Sequence, residues 1–125
     1  MQIISTNNAP AAIGPYSQAI VSKGLLFCSG QLGIDPSIGK LVADDTASQT
    51  EQVMKNIKAL LNSESLNLGN IVKTTIFIVS MDDFKTVNEI YASHLGTHKP
   101  ARSTVQVAKL PLGAKIEIEC IAEVV

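Results

Sequence analysis

Two stretches late in the chain hold residue types that do chemistry, at a spacing that aims them. Arg102, Thr104 and Gln106 alternate with Ser103, Val105 and Val107, and Glu117 and Glu119 alternate with Ile116, Ile118 and Cys120. Successive residues of a strand face opposite sides of its sheet. One side of the first stretch therefore presents Arg102, Thr104 and Gln106, and one side of the second presents Glu117 and Glu119. An arginine and a glutamate on neighbouring strands have two readings. One is a structural ion pair, which adds little stability when exposed. The other is a site: the guanidinium takes a carboxylate ligand through two parallel hydrogen bonds, and Glu117 holds a water. Arg102 follows Pro100-Ala101 at the start of a strand, where a side chain can reach the rim of a cleft.

Asn88 is the third residue of interest. At about 100° per residue it falls between Phe84 and Tyr91 on an apolar helical stripe. A buried amide must be hydrogen-bonded, so Asn88 either bridges helix to sheet or supports a site from behind. Other familiar signals are missing. The chain has no GxGxxG, no P-loop and no CxxC. His94 and His98 are four apart with no carboxylate between them in an HExxH arrangement, so they are read as a helix C-terminus and the loop after it. Cys28 has no adjacent His or Lys to activate it. It and Cys120, the two cysteines of the chain, are read as buried free thiols of a reducing compartment.

The elements that position these residues follow from pattern. Gln2 to Ser5, Gln18 to Val21, and Leu25 to Leu32 read as strands, with a loop punctuated by Pro10, Gly14 and Pro15 and a turn at Ser22-Lys23-Gly24. Asp35 to Lys40 is a turn-rich loop. A helix is expected from Thr46 to Leu66, with a capping box of Thr46 and Gln49 and an apolar face of Val53, Met54, Ile57, Leu60 and Leu61. Ile71 to Val79 is rich in β-branched residues and reads as a central strand. A second helix is expected from Asp82 to Leu95, capped by Ser80 and Asp83, followed by strands at Arg102 to Ala108 and Lys115 to Val124.

About six strands and two helices make an α+β protein. Right-handed crossovers put both helices on one face of the sheet. Nothing in the chain then covers the other face, although Ile76 and Ile78 alternate with Phe77 and Val79. A sheet with a bare apolar face needs a partner, so a homo-oligomer is expected.

The bulk numbers narrow the class. A chain of 125 residues buries roughly two-thirds of its unfolded surface and is expected to be one domain, residues 1–125. Hydrophobic residues are 46% and charged residues 17%, a globular composition. The net charge of −1, aromatics at 4% and no Trp do not fit a nucleic-acid binder, which needs basic surface and stacking platforms. No apolar run reaches transmembrane length and no signal peptide is visible. A cytoplasmic protein with no membrane and no nucleic-acid partner is expected.

The sequence resembles the RidA/YjgF family, the reactive intermediate deaminases, over nearly its whole length. The stretch PARSTVQVAKLPLGAKIEIECIA, Pro100 to Ala122, carries most of the resemblance. NAPAAIGPYSQAI (Asn8 to Ile20), CSGQLGIDP (Cys28 to Pro36), VKTTIFI (Val72 to Ile78) and MDDFKTVNEIY (Met81 to Tyr91) support it in order. The resemblance implies a chorismate-mutase-like α+β fold, with a mixed sheet and two helices on one face. It implies a homotrimer with three ligand sites in clefts between subunits. It also implies an activity that needs no cofactor and no metal: hydrolysis of 2-imino acids, such as 2-iminobutanoate, to 2-keto acids and ammonia.

Carried over by position, Arg102 would clamp the substrate carboxylate and Glu117 would orient and deprotonate the attacking water. Tyr16, Ser29 and Gly30 would line the cleft, with the Gly30 amide close to the ligand, and Asn88 would support it. Thr104 stands where the family commonly has Cys. It keeps the backbone N–H that would meet the carboxylate but changes the side chain beside it. Burial is expected to raise the pKa of Glu117, and a nearby Arg102 to lower it. Two other functions compete: a trimeric sensor of 2-keto acids, which needs Arg102 but no base, and the ribonuclease label carried by some relatives, against which charge and composition argue.

Overall fold

The computed structural model describes residues 1–125. Its strands are β1 (Gln2–Ile4), β2 (Ala19–Ser22), β3 (Leu25–Leu32), β4 (Ile34–Asp35), β5 (Lys40–Leu41), β6 (Ile71–Ile78), β7 (Ala101–Gln106) and β8 (Ile116–Glu123). Its helices are α1 (Thr46–Asn62) and α2 (Phe84–Leu95). Six strands form one sheet in the order β1-β2-β3-β8-β6-β7. Only β6 and β7 pair in parallel, joined through α2. The fold is therefore α+β, with two helices beside a six-stranded mixed sheet.

The helices form where the apolar spacing places them, and their ends differ from expectation for local reasons. Asp45, not Thr46, caps α1, its Oδ2 accepting from Ser48 N at 2.8 Å. Thr46 is the first helical residue, and its hydroxyl donates to Asp83 Oδ2 at 2.8 Å. Gln49 does not turn back to the cap. It is fully buried, donates to Ala43 O and accepts from Lys115 N. The helix ends at Asn62 rather than Leu66, because Ser65 takes φ 60° and Leu66 N turns back to Leu61 O. Ser80 caps a single tight turn, Met81–Asp83, and α2 begins after it; Asp83 makes no capping bond. The segment read as a turn-rich loop holds the small β4–β5 hairpin.

Both helices cover one face. Val53, Ile57, Leu60 and Leu61 of α1 and Val87 and Tyr91 of α2 join Leu26, Ile76, Ile78, Ile116 and Ile118 of the sheet in one core. Each such aliphatic side chain contributes about 1.5–3 kcal/mol on full burial. The far face is uncovered by this chain, but it is mixed rather than apolar. Phe27, Ile121, Phe77 and Val105 share it with Lys73, Thr75, Ser103, Glu117 and Glu119, all half-buried or exposed. Val79, expected on it, lies past the end of β6, with its N–H on Lys115 O. No helix is long and apolar enough to cross a membrane.

Candidate functional site

Arg102 and Glu117 do not meet. The strands that carry them are not neighbours, because β6 lies between β7 and β8. Glu117 is level with Phe77 and Val105, whereas Arg102 is level with Thr74 and Cys120. Their backbones stand about 10 Å apart across the sheet and about 10 Å along it. Their side chains also leave from opposite faces: Arg102 shares the face of buried Thr74, and Glu117 the uncovered face. An ion pair between them is excluded within one chain. The single histidine–carboxylate contact joins His94 Nε2 to Glu51 Oε2, 2.6 Å apart, between α2 and α1, and no lysine or arginine pairs with a carboxylate. His98 stands apart from both, donating from Nε2 to Ile71 O at 2.7 Å.

Each residue instead stands beside its own cavity. Around Glu117 lies a cavity of about 550 Å³, which Tyr16, Ser29 and Gly30 line together with Pro111 and Leu112. The register of β3 against β8 slips between Cys28 and Gln31, so Ser29 and Gly30 sit in an irregularity that breaks the ladder. Gly30 leaves the Glu117 carboxyl its place there. A Cβ on it would stand 2.7 Å from Glu117 Cδ, so the carboxylate lies directly over the glycine. Ser29 is tied down on both sides, its N–H donating to Gln18 O at 3.0 Å and its Oγ to Ser17 O at 2.6 Å.

Nothing in the sequence marks Gln18. It is buried, and its amide holds the Thr6–Pro10 loop through four hydrogen bonds. This loop forms one wall of the cavity through Pro10. The Glu117 carboxyl is half-buried, and burial raises its pKa above the ordinary carboxylate value; the like charge of Glu119 two residues on adds to the rise. Arg102 is too distant within the chain to oppose it. The arrangement is a proton-hungry carboxylate beside an open cavity.

The surroundings of Arg102 are built by one helix. Phe84, Asn88 and Tyr91 of α2 lie at i, i+4 and i+7, on one stripe, and all three meet the Arg102 guanidinium. Nη1 donates to Asn88 Oδ1 at 2.7 Å. The guanidinium carbon sits 5.6 Å from the Phe84 ring centre and 5.3 Å from that of Tyr91. Asn88 thus bridges helix to sheet, and the group it reaches is Arg102. Asn88, Tyr91 and Arg102 border a cavity of about 440 Å³ with Lys99 and Pro100. Phe84 and Tyr91 read in the sequence only as buried apolar positions. Nearby on β7, Thr104 faces the helices with its hydroxyl buried and without a partner. Cys28 and Cys120 are level on adjacent strands, both buried and free.

Comparison with known proteins gives a consistent picture. The family model described as Endoribonuclease L-PSP matches residues 6–124. The chain is 54% identical to the chloroplastic Reactive Intermediate Deaminase A of Arabidopsis thaliana over 97% of its own length, and it spans 65% of that relative. It is 46% identical to the human 2-iminobutanoate/2-iminopropanoate deaminase over 97% of this chain and 88% of that one. Among solved structures it resembles E. coli TdcF with bound serine, with a TM-score of 0.93 at 41% identity over 98% of both chains.

Proposed function

The chain belongs to the Endoribonuclease L-PSP family, the RidA/YjgF family of its sequence resemblance, and on that premise we propose that it is a 2-iminobutanoate/2-iminopropanoate deaminase. It converts small reactive 2-imino acids to 2-keto acids and ammonia without a cofactor. A protonated imine is already electrophilic at C2, so the protein must hold the carboxylate, place a water and move protons. Arg102 holds the carboxylate. Glu117 takes a proton from water as its oxygen bonds C2 and the C=N electron pair moves to nitrogen. Glu117 then returns the proton to nitrogen; as the C–N bond breaks and its electron pair leaves with ammonia, Glu117 takes the remaining hydroxyl proton, the C2 oxygen becomes the carbonyl, and that proton passes to the departing ammonia as ammonium. Tyr16, Ser29, Gly30 and Thr104 line the bound acid, and Asn88 steadies Arg102.

One observation shapes the assembly. Arg102 and Glu117 are each without an ion-pair partner and lie on opposite faces of one sheet, so a site using both takes one from each of two copies. The β7 edge of one subunit then lies against the uncovered face of the next, a head-to-tail contact that closes as a ring. We take that ring to be a homotrimer with its sites between subunits. We read residues 1–125 as one domain and the compartment as cytoplasm, where two adjacent buried thiols stay reduced.

The test generates 2-iminobutanoate with a threonine dehydratase and traps it with semicarbazide. Catalytic amounts of this protein should suppress trapping, and Arg102→Ala or Glu117→Gln should not. Co-assembling the two inactive variants should then restore about a quarter of the activity, because random pairing joins the two intact halves at one interface in four. Absence of any recovery in co-assembled trimers places both residues in one subunit's site and sinks the shared cleft. A second reading, a sensor of small carboxylates, draws on the serine bound to E. coli TdcF. Unchanged trapping by wild type together with tight 2-ketobutyrate binding selects it.

A further inference from the structure

We propose that Phe84 and Tyr91 are positioning residues for Arg102: an aromatic clamp that, with Asn88, fixes the guanidinium while leaving its charge unspent. The role given to Arg102, holding the substrate carboxylate, rests on the deaminase reading above; the clamp itself rests on geometry.

The usual way to hold an arginine still is a carboxylate, and none lies within 4.0 Å of this one. The guanidinium is gripped instead by three neutral groups from one helical stripe. Asn88 takes one N–H at 2.7 Å. The two rings receive the cation at 5.6 and 5.3 Å from their centres, within the range where the ring quadrupole attracts it. A carboxylate in Asn88's place would hold the group as well, but it would also neutralise it and occupy the fork that a ligand carboxylate needs. The neutral clamp orients without competing.

The clamp is itself anchored. The Tyr91 hydroxyl pairs with Thr74 Oγ1 at 2.7 Å, both buried. Thr74 is the residue level with Arg102 on the adjacent strand β6, on the same face. The ring is thus pinned to the strand beside the arginine it steadies, and helix, strand and guanidinium form one closed circuit. Phe84 sits at the first residue of α2, immediately after the turn capped by Ser80, so the start of the helix also fixes one side of the clamp.

An arginine that holds a carboxylate equally in ground and transition states acts through KM. Phe84→Leu keeps the apolar volume and removes the π face. It should raise both KM for the imine and Kd for 2-ketobutyrate about two- to fivefold, with kcat within about twofold. Tyr91→Leu should do the same. Phe84→Tyr, which restores a π face, should return both constants to wild type. A purely structural role lowers Tm or kcat and leaves the KM and Kd pattern flat, and that result in the half-buried Phe84→Leu overturns the proposal even if Tyr91→Leu fails to fold. The two readings separate cleanly. No turnover by wild type, with Kd still following the ring substitutions, removes the deaminase and keeps the clamp. Normal turnover with Kd indifferent to Phe84→Leu removes the clamp and keeps the deaminase.

Discussion

The Glu117 and Arg102 half-sites are made from different materials. Around Glu117 the backbone does the shaping: a slipped register at Ser29-Gly30, a loop pinned by Gln18, and a glycine over which the carboxyl lies. The carboxylate itself is left without a charge partner, and burial raises its affinity for a proton. Around Arg102 side chains from one helix shape a charge on a regular parallel strand pair. In the proposed mechanism, the group that changes protonation sits where the chain leaves it unsatisfied, and the group that keeps one charge and one direction sits where packing restrains it.

Exchanging or damaging the halves should break that contrast, most strongly at the base. Glu117→Gln removes the proton acceptor and keeps the shape, so kcat should fall about 10²- to 10⁴-fold while 2-ketobutyrate binding persists in calorimetry. Arg102→Ala should do the reverse and abolish that binding. Equal loss of binding in both variants would erase the division of labour.

Gly30→Ala comes next. Gly30 has no positive φ, so alanine suits its backbone, but the new Cβ at 2.7 Å must push the Glu117 carboxyl aside. A misplacement of this kind should cost about 10- to 100-fold in kcat, with Tm little changed in a thermal melt. Unimpaired kcat would show that the carboxylate need not lie over the glycine.

The smallest effect concerns pH. Glu117 must be ionised to act as base, so kcat should fall as pH drops through its pKa, which burial raises above the ordinary glutamate value. Glu119→Gln removes the like charge and should move that limb to lower pH. Stability runs in the opposite direction. Between the unfolded and the raised folded value the native state binds more protons, so stability falls as pH rises through that window. Glu117→Gln should therefore melt higher than wild type at neutral pH, and the difference should vanish below the unfolded pKa of the glutamate. A constant difference across the range would mean that burial does not perturb Glu117.

Alternation within each strand was readable: Arg102 with Thr104, and Glu117 with Glu119, do share faces. Which strands pair was not. Period-two patterning assigns a face but carries no information about neighbours, so it allows β7 and β8 to be adjacent although β6 separates them. The helix stripes were readable because burial repeats at helical spacing. The capping box at Thr46 was not, because Asp45 offered a stronger acceptor one residue earlier and Gln49 was drawn into the core by Ala43 and Lys115. Asn88 stood out as an amide on an apolar stripe, whereas Phe84 and Tyr91 did not, since an aromatic that faces a cation looks in sequence like one that faces leucine. Gln18 offered no signal at all.

The strand that carries Glu117 has a further consequence. β8 is the last strand in chain order, yet it lies in the middle of the sheet, between β3 and β6. Without β8 the sheet can form only as two separate pieces, β1-β2-β3 and β6-β7, each with an unpaired edge rich in apolar residues. Such edges are templates for pairing with other chains, and joining them depends on contacts distant in sequence, which form slowly. A folding chain is therefore open to mispairing until residues 116–123 dock, and the strand that seals the sheet is the one that delivers the carboxylate.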